Sequence, residues 1–154
     1  MSVGRPTTTT VVVGGRMVGL RVTDLDTPME LGVEVVTGGG DVIWRSVEPG
    51  WRAISYGFAN GRLYWWSARR LVLVEARRCL EVAGVDEDIV AAFDAAGGWV
   101  VVTETSVRRV ASGERLEFGV VLCAASLEGE ALAVEDEDGV TISIRLGRDG
   151  LAIQ

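Results

Sequence analysis

A chain of 154 residues, 48% apolar and 24% charged, has the composition of a folded globule and the length to bury a real core. It carries no histidine and no lysine; all 15 basic residues are arginine, set against 22 acidic ones for a net charge of −7. Those absences exclude histidine-activated serine or cysteine nucleophiles, imidazole zinc sites, the phosphate-gripping lysine of a P-loop and a Schiff-base lysine.

Taken in chain order, residues 1–10 read as a flexible N-terminal arm and lack the charged-then-apolar layout of a signal peptide. The N-terminal portion also offers four strand-like segments, Thr7–Val13, Arg16–Val22, Glu30–Val36 and Asp41–Trp44. Gly38-Gly39-Gly40 follows a strand but opens no helix and lacks the G-x-G-x-x-G spacing, so it reads as a flexible loop. Short apolar runs rich in β-branched and aromatic residues come next: Leu63–Trp66, Leu71–Val74, Trp99–Val102, Val120–Cys123, Ala131–Val134 and Val140–Ile144. Asn60-Gly61, Gly97-Gly98, Ser112-Gly113, Asp138-Gly139 and Asp149-Gly150 mark turns between or after them. Ser67 to Gly84 and Asp86 to Gly97 also fit helices, the first with Ser67 as N-cap and Gly84 as the closing glycine.

A repeat favours strands in both segments. At an offset of 32 residues, Asp88–Ser106 overlies Val120–Asp138, placing Ile89 on Val121, Gly97 on Gly129, Val100 on Leu132 and Val102 on Val134. An earlier copy sets Gly61 on Gly98, Leu63 on Val100 and Trp65 on Val102. Three units follow, about 47–84, 85–119 and 120–154, within a single all-β domain spanning 1–154. Such a four-stranded meander, ending its second turn in Gly and its third in Asp-Gly, resembles the blade of a β-propeller. The resemblance covers residues 47–154 and implies architecture alone: antiparallel meander repeats making about four blades, or an arc completed by oligomerisation. It brings no functional residues. A β-sandwich is the alternative, although Leu63-Tyr64-Trp65-Trp66 and Trp99–Val102 are apolar on both strand faces and predict sheets covered on both sides.

The aromatic residues Trp51, Tyr56, Tyr64 and Trp66 are the candidate interface or ligand platform; Tyr64 and Trp65 are expected to face opposite ways, so that at least half of the aromatic cluster is core. Glu135-Asp136-Glu137-Asp138 reads as a solvated hairpin tip, since four successive carboxylates on a strand cannot converge on calcium. Asp24, Asp26, Glu104 and Glu117 are the carboxylates on which a hydrolase would have to rely. The arginine doublets Arg69-Arg70, Arg77-Arg78 and Arg108-Arg109 are expected to split between faces and pair with glutamates. Cys79 and Cys123 read as small buried hydrophobes.

The expectation is therefore a non-enzymatic β-repeat protein for protein–protein interaction or self-association, with no cofactor and no metal. A small-ligand or glycan-binding module on the aromatic platform is the alternative, and a carboxylate-based hydrolase ranks below it. Scattered arginines in an acidic chain argue against nucleic acid and anionic membranes. No apolar stretch approaches the roughly 18 residues of a membrane-spanning helix, and two isolated cysteines fit the reducing cytoplasm.

Overall fold

The computed structural model describes residues 7–25, 29–95 and 97–154. Among these residues, sixteen strands form four antiparallel four-stranded sheets, each made of four consecutive strands. Sheet 1 holds β1 (Thr7–Val13), β2 (Arg16–Asp24), β3 (Glu30–Thr37) and β4 (Val42–Pro49); sheet 2 holds β5 (Ser55–Ala59), β6 (Arg62–Trp66), β7 (Arg70–Val74) and β8 (Cys79–Gly84). Sheet 3 holds β9 (Ile89–Ala95), β10 (Gly98–Thr103), β11 (Ser106–Arg109) and β12 (Arg115–Glu117). Sheet 4 holds β13 (Leu122–Glu128), β14 (Ala131–Asp136), β15 (Thr141–Gly147) and β16 (Gly150–Ile153). Among the described residues no strand crosses between sheets, and each sheet is a propeller-like meander of consecutive strands paired in chain order.

The segments that also fit helices are strands. Ser67 accepts the amide hydrogens of Arg69 and Arg70 at 3.1 Å, as an N-cap would, but the chain turns back at once into β7. The local bonding is common to a helix start and a tight turn; the apolar run Leu71–Val74, buried throughout, selects the sheet. Residues Thr7–Thr10 are likewise no arm, because they pair with Val22–Gly19 as part of β1; residues 1–6 lie outside the described residues. The tightest hairpins follow turn chemistry. Gly14-Gly15 joins β1 to β2 and Asn60-Gly61 joins β5 to β6, each with positive φ at both central positions (56° and 77°, 54° and 70°), the geometry that matches strand twist.

The chain divides into two compact units, one ending at Gly84 and the other beginning at Val85. In the first, the inner face of sheet 1 (Val18, Leu20, Val33, Val35) packs on Leu63, Trp65, Val72 and Val74 of sheet 2. Trp44 meets Trp65 edge-on at 5.9 Å. Glu48, at the end of β4 and 1% exposed, reaches across to sheet 2: its Oε1 accepts Ser67 Oγ–H at 2.7 Å and Arg70 Nε–H at 2.9 Å. A buried charge is tolerated only when paired and hydrogen-bonded in this way.

In the second unit, Ala91, Val100, Val102 and Val107 of sheet 3 pack on Leu122, Leu132, Val134, Ile144, Leu146 and Leu151 of sheet 4. Buried Arg109 donates from Nη1 to the carbonyl of Gly147 at 2.8 Å, and Glu114 Oε1 accepts the amide hydrogen of Leu151 at 3.1 Å, so sheet 3 grips both strands of the β15–β16 hairpin.

The turn from second to third strand has the same design in three sheets. Ser67, Thr103 and Asp136, all buried, accept backbone amide hydrogens from residues two to four further on. Thr103 also donates to Glu87 Oε2 at 2.7 Å, matching Ser67 on Glu48. Asp136 is thus a buried turn former, a correction to the solvated tip expected for residues 135–138. Glu135, Glu137 and Asp138 are exposed as expected. Bulges opposite Thr103 and Asp136 set Ile89 equivalent to Leu122, one residue away from the sequence overlay. Aligning glycine with glycine produced that slip, because the positive φ falls on Gly129 in one hairpin and on Gly98 in the other.

Candidate interaction surface

The segment joining sheet 1 to sheet 2, with the edge strand it leads into, carries the exposed aromatic side chains. Trp51, Tyr56 and Phe58 are 47%, 49% and 52% exposed, and no other described Trp, Tyr or Phe is exposed. Period-two alternation on β5 puts Tyr56 and Phe58 on one face, about 7 Å apart along the strand. They share that face with their cross-strand partners Trp65 and Leu63, which are buried, while β5 itself pairs on one side only, with β6. Trp51 lies in the bend before β5, with the Arg69 guanidinium 5.9 Å above its ring centroid.

The expected platform is therefore divided between two faces. Tyr64 and Trp66 point to the opposite side of sheet 2 from Tyr56, where their rings stack at 5.9 Å. Tyr64 is buried and Trp66 half-buried. The Tyr64 ring lies directly over Gly57, where an added methyl would sit about 2.4 Å from its Cζ and Oη. A bulkier residue at 57 would displace the ring, so glycine there serves packing. Phe58 was not singled out in the sequence, although its position two residues after Tyr56 on a short strand was enough to place it beside that ring.

Next to this edge lies a groove of about 500 Å³, lined by Leu20, Val22 and Leu31 from the inner face of sheet 1 and by Ile54 and Tyr56. Thr7, Thr9 and Asp24 give it a polar margin. Aromatic and aliphatic side chains with a polar rim are the composition of a protein-docking surface.

Asp24 ends β2 and is exposed; Asp26 lies outside the described residues. Glu117, exposed, is held by Arg115 at 2.6 Å, and Glu104 is half-buried beyond β10. Among the described residues no three acidic or cysteine side chains converge as a metal would need. The carboxyl of Glu87 is held below the usual carboxylate range, first by the hydroxyl of Thr105, then by that of Thr103, with Arg108 and Arg115 adding to it.

Arginines take part in ion pairs as expected: Arg70 with Glu48 and Glu81, Arg78 with Glu75, Arg108 with Asp86 and Glu87. Arg109 departs from the pattern by binding a backbone carbonyl in the interior. The cysteines are both free, and neither is fully buried. Cys79 is half-buried, its thiol pushed up to about 12 by burial and by Glu75. Cys123 is exposed, because the bulge between Leu122 and Ala124 turns it outward from an otherwise apolar run.

No protein-family model matches the chain, and no curated protein matches it. Among solved structures, the crystal structure of HIRA(644-1017) superposes at a TM-score of 0.44 over 99% of this chain with 12% identity. The chain spans about half of that structure's length, 55%.

Proposed function

We propose that the chain is a non-enzymatic β-repeat module that binds another protein through the Trp51–Phe58 segment. One observation carries this reading: the exposed aromatic side chains all fall in eight residues at a sheet edge, beside an apolar groove. Tyr and Trp lose little conformational entropy on contact and present large amphipathic surfaces, so they dominate binding energy where they cluster. An edge strand adds backbone groups that an extended peptide segment can pair with. The fitting partner is an extended segment with apolar side chains at alternate positions, able to lie along β5 and insert one of them into the groove. Six arginines paired with carboxylates, and Arg69 held over Trp51, support a protein partner over nucleic acid. Free thiols at Cys79 and Cys123 favour a reducing, cytoplasmic setting.

The test is a photo-crosslinking residue at position 58, with a control at Ser126 in sheet 4, followed by mass spectrometry of adducts formed in source cells. A stoichiometric protein adduct at 58, absent at 126 and lost on Tyr56→Ala, is the expected result. No protein adduct at 58 would overturn the proposal. The groove volume favours one second reading, a small apolar ligand, which predicts a tryptophan fluorescence change with metabolites and no protein adduct.

A further inference from the structure

Among the described residues, Arg16, Arg77, Arg145 and Arg148 are the arginines without a carboxylate, carbonyl or ring partner. They fall in pairs into two surface clefts of similar size, about 570 and 590 Å³. Arg145 and Arg148 line the first together with Glu114, Glu130 and Asp149, so carboxylates outnumber cations there. Arg16 and Arg77 line the second, where Asp41 is the one carboxylate in the lining, for an excess of one positive charge.

Three elements of the first unit bring donors to this second cleft. Arg16 opens β2 after the Gly14-Gly15 hairpin, Arg77 lies in the bend between β7 and β8, and residues 38–41 join β3 to β4. In that last loop Gly38 donates its amide hydrogen to the carbonyl of Met17 at 2.8 Å and Gly40 to that of Thr37 at 2.9 Å. Asp41 donates to Thr37 Oγ1 at 3.1 Å, which leaves the Thr37 hydroxyl hydrogen free to donate. The Gly39 amide makes no bond of this kind among the described residues. Glycine leaves it uncovered, since a Cβ at 39 would have only Thr37 Oγ1, at 3.9 Å, within contact range.

We propose that the cleft lined by Arg16, Thr37, Gly39 and Arg77 binds a phosphate group, free or carried on a phosphorylated peptide. Two planar guanidinium forks on separate elements, a backbone amide and a hydroxyl suit a tetrahedral anion with three free oxygens. A monocarboxylate has two oxygens and is filled by a single fork. Asp41 stands in the same lining and opposes a dianion, so it lowers the affinity and sets the sign of one test below. The cleft shares no lining residue with the Trp51–Phe58 edge or its groove, so failure of one proposal leaves the other standing.

The labelled full chain is followed by proton–nitrogen correlation spectra at constant ionic strength. Sodium phosphate, a phosphoserine peptide, the same peptide without phosphate and sodium acetate are added in turn. Phosphate and the phosphopeptide are expected to shift the Gly39 amide and the Arg16 and Arg77 Nε–H signals saturably, while acetate and the plain peptide leave them in place. Tighter binding of the phosphopeptide than of phosphate assigns the group to a polypeptide partner; the reverse assigns it to the free ion. Arg16→Gln and Arg77→Gln are each expected to weaken phosphate binding about tenfold, and Asp41→Asn to tighten it about threefold. No saturable shift at Gly39 with either phosphate source, equal shifts with acetate, or unchanged binding in both arginine variants would overturn the proposal. The same spectra report the folding of each variant. Should an arginine variant unfold, Asp41→Asn still decides, since the Asp41 carboxylate makes no bond among the described residues, and weaker phosphate binding there would overturn the proposal equally.

Discussion

Sheets 2 and 3 and sheets 1 and 4 are the same four-stranded meander, yet they meet solvent differently. In β7 the four residues Leu71 to Val74 are buried in succession, and in β10 so are Val100 to Thr103, which places apolar groups inside on both faces of the strand. In β3 and β14 burial alternates instead: Val33 and Val35 are buried around half-buried Glu34, and Leu132 and Val134 around half-buried Ala133, before exposed Glu135. A strand covered on both faces reads as a continuous apolar run, whereas one covered on a single face reads as alternation. The composition of each strand thus reports how many of its faces leave water, and the topology of the meander is indifferent to it.

The sharpest way to break this contrast is a charge on the second face of an inner strand. Val101 points away from Val100 and Val102, which contribute to the core with sheet 4, and is itself 1% exposed. Val101→Asp buries an unpaired carboxylate and is expected to cost roughly 4 kcal/mol or more, measured by urea unfolding. Ser126→Asp on the exposed face of sheet 4 is expected to change stability by no more than about 0.5 kcal/mol. Equal losses from the two would remove the distinction.

An intermediate effect is expected at the polar link within the first unit. Glu48→Ala leaves Arg70 and Ser67 without their shared acceptor in the interior, an expected loss of about 3 kcal/mol. Ser67→Ala keeps the Glu48–Arg70 pair and is expected to cost about 1 kcal/mol. A double variant no worse than Glu48→Ala alone would show that both act through the same carboxylate.

The smallest effect concerns Glu87, which supports the corresponding turn in sheet 3 but is far more solvated. Its folded carboxyl titrates below the ordinary 4.5, so its stabilisation is present above that pH and is lost as pH falls through the lower, folded value. Thermal melts of Glu87→Gln are expected to lie below the unsubstituted chain at neutral pH, with the gap closing in acid. A constant gap would mean that the side chain contributes through packing and not through charge.

Several features of the fold were readable from neighbouring residues alone. Asn60-Gly61 announced a hairpin, and the runs Leu63–Trp66 and Leu71–Val74 announced covered strands, because turn conformation and face burial are local properties. The four N-terminal segments fell close to β1–β4 for the same reason. The aromatic platform was readable in part: Trp51 and Tyr56 are exposed, but Tyr64 and Trp66 lie on the other face of sheet 2. Alternation says that neighbours on a strand oppose one another, and it does not say which of the two faces meets water.

Tertiary structure alone decided the rest. Ser67 makes bonds that serve a helix cap and a strand turn equally well, and only the burial of β7 separates them. Asp136 stands in a run of four acids that looks uniformly solvated, yet one of the four is turned inward to hold the backbone. Cys123 sits in an apolar run and faces water because a bulge inserts one extra residue. Arg109 and Glu48 are charged residues placed in the interior by partners 38 and 19 positions away. Composition and period set which strands form and how many faces they hide, since those depend on adjacent residues. Partners distant in sequence determine which polar group goes inside, because only the assembled fold brings the compensating hydrogen bonds within reach.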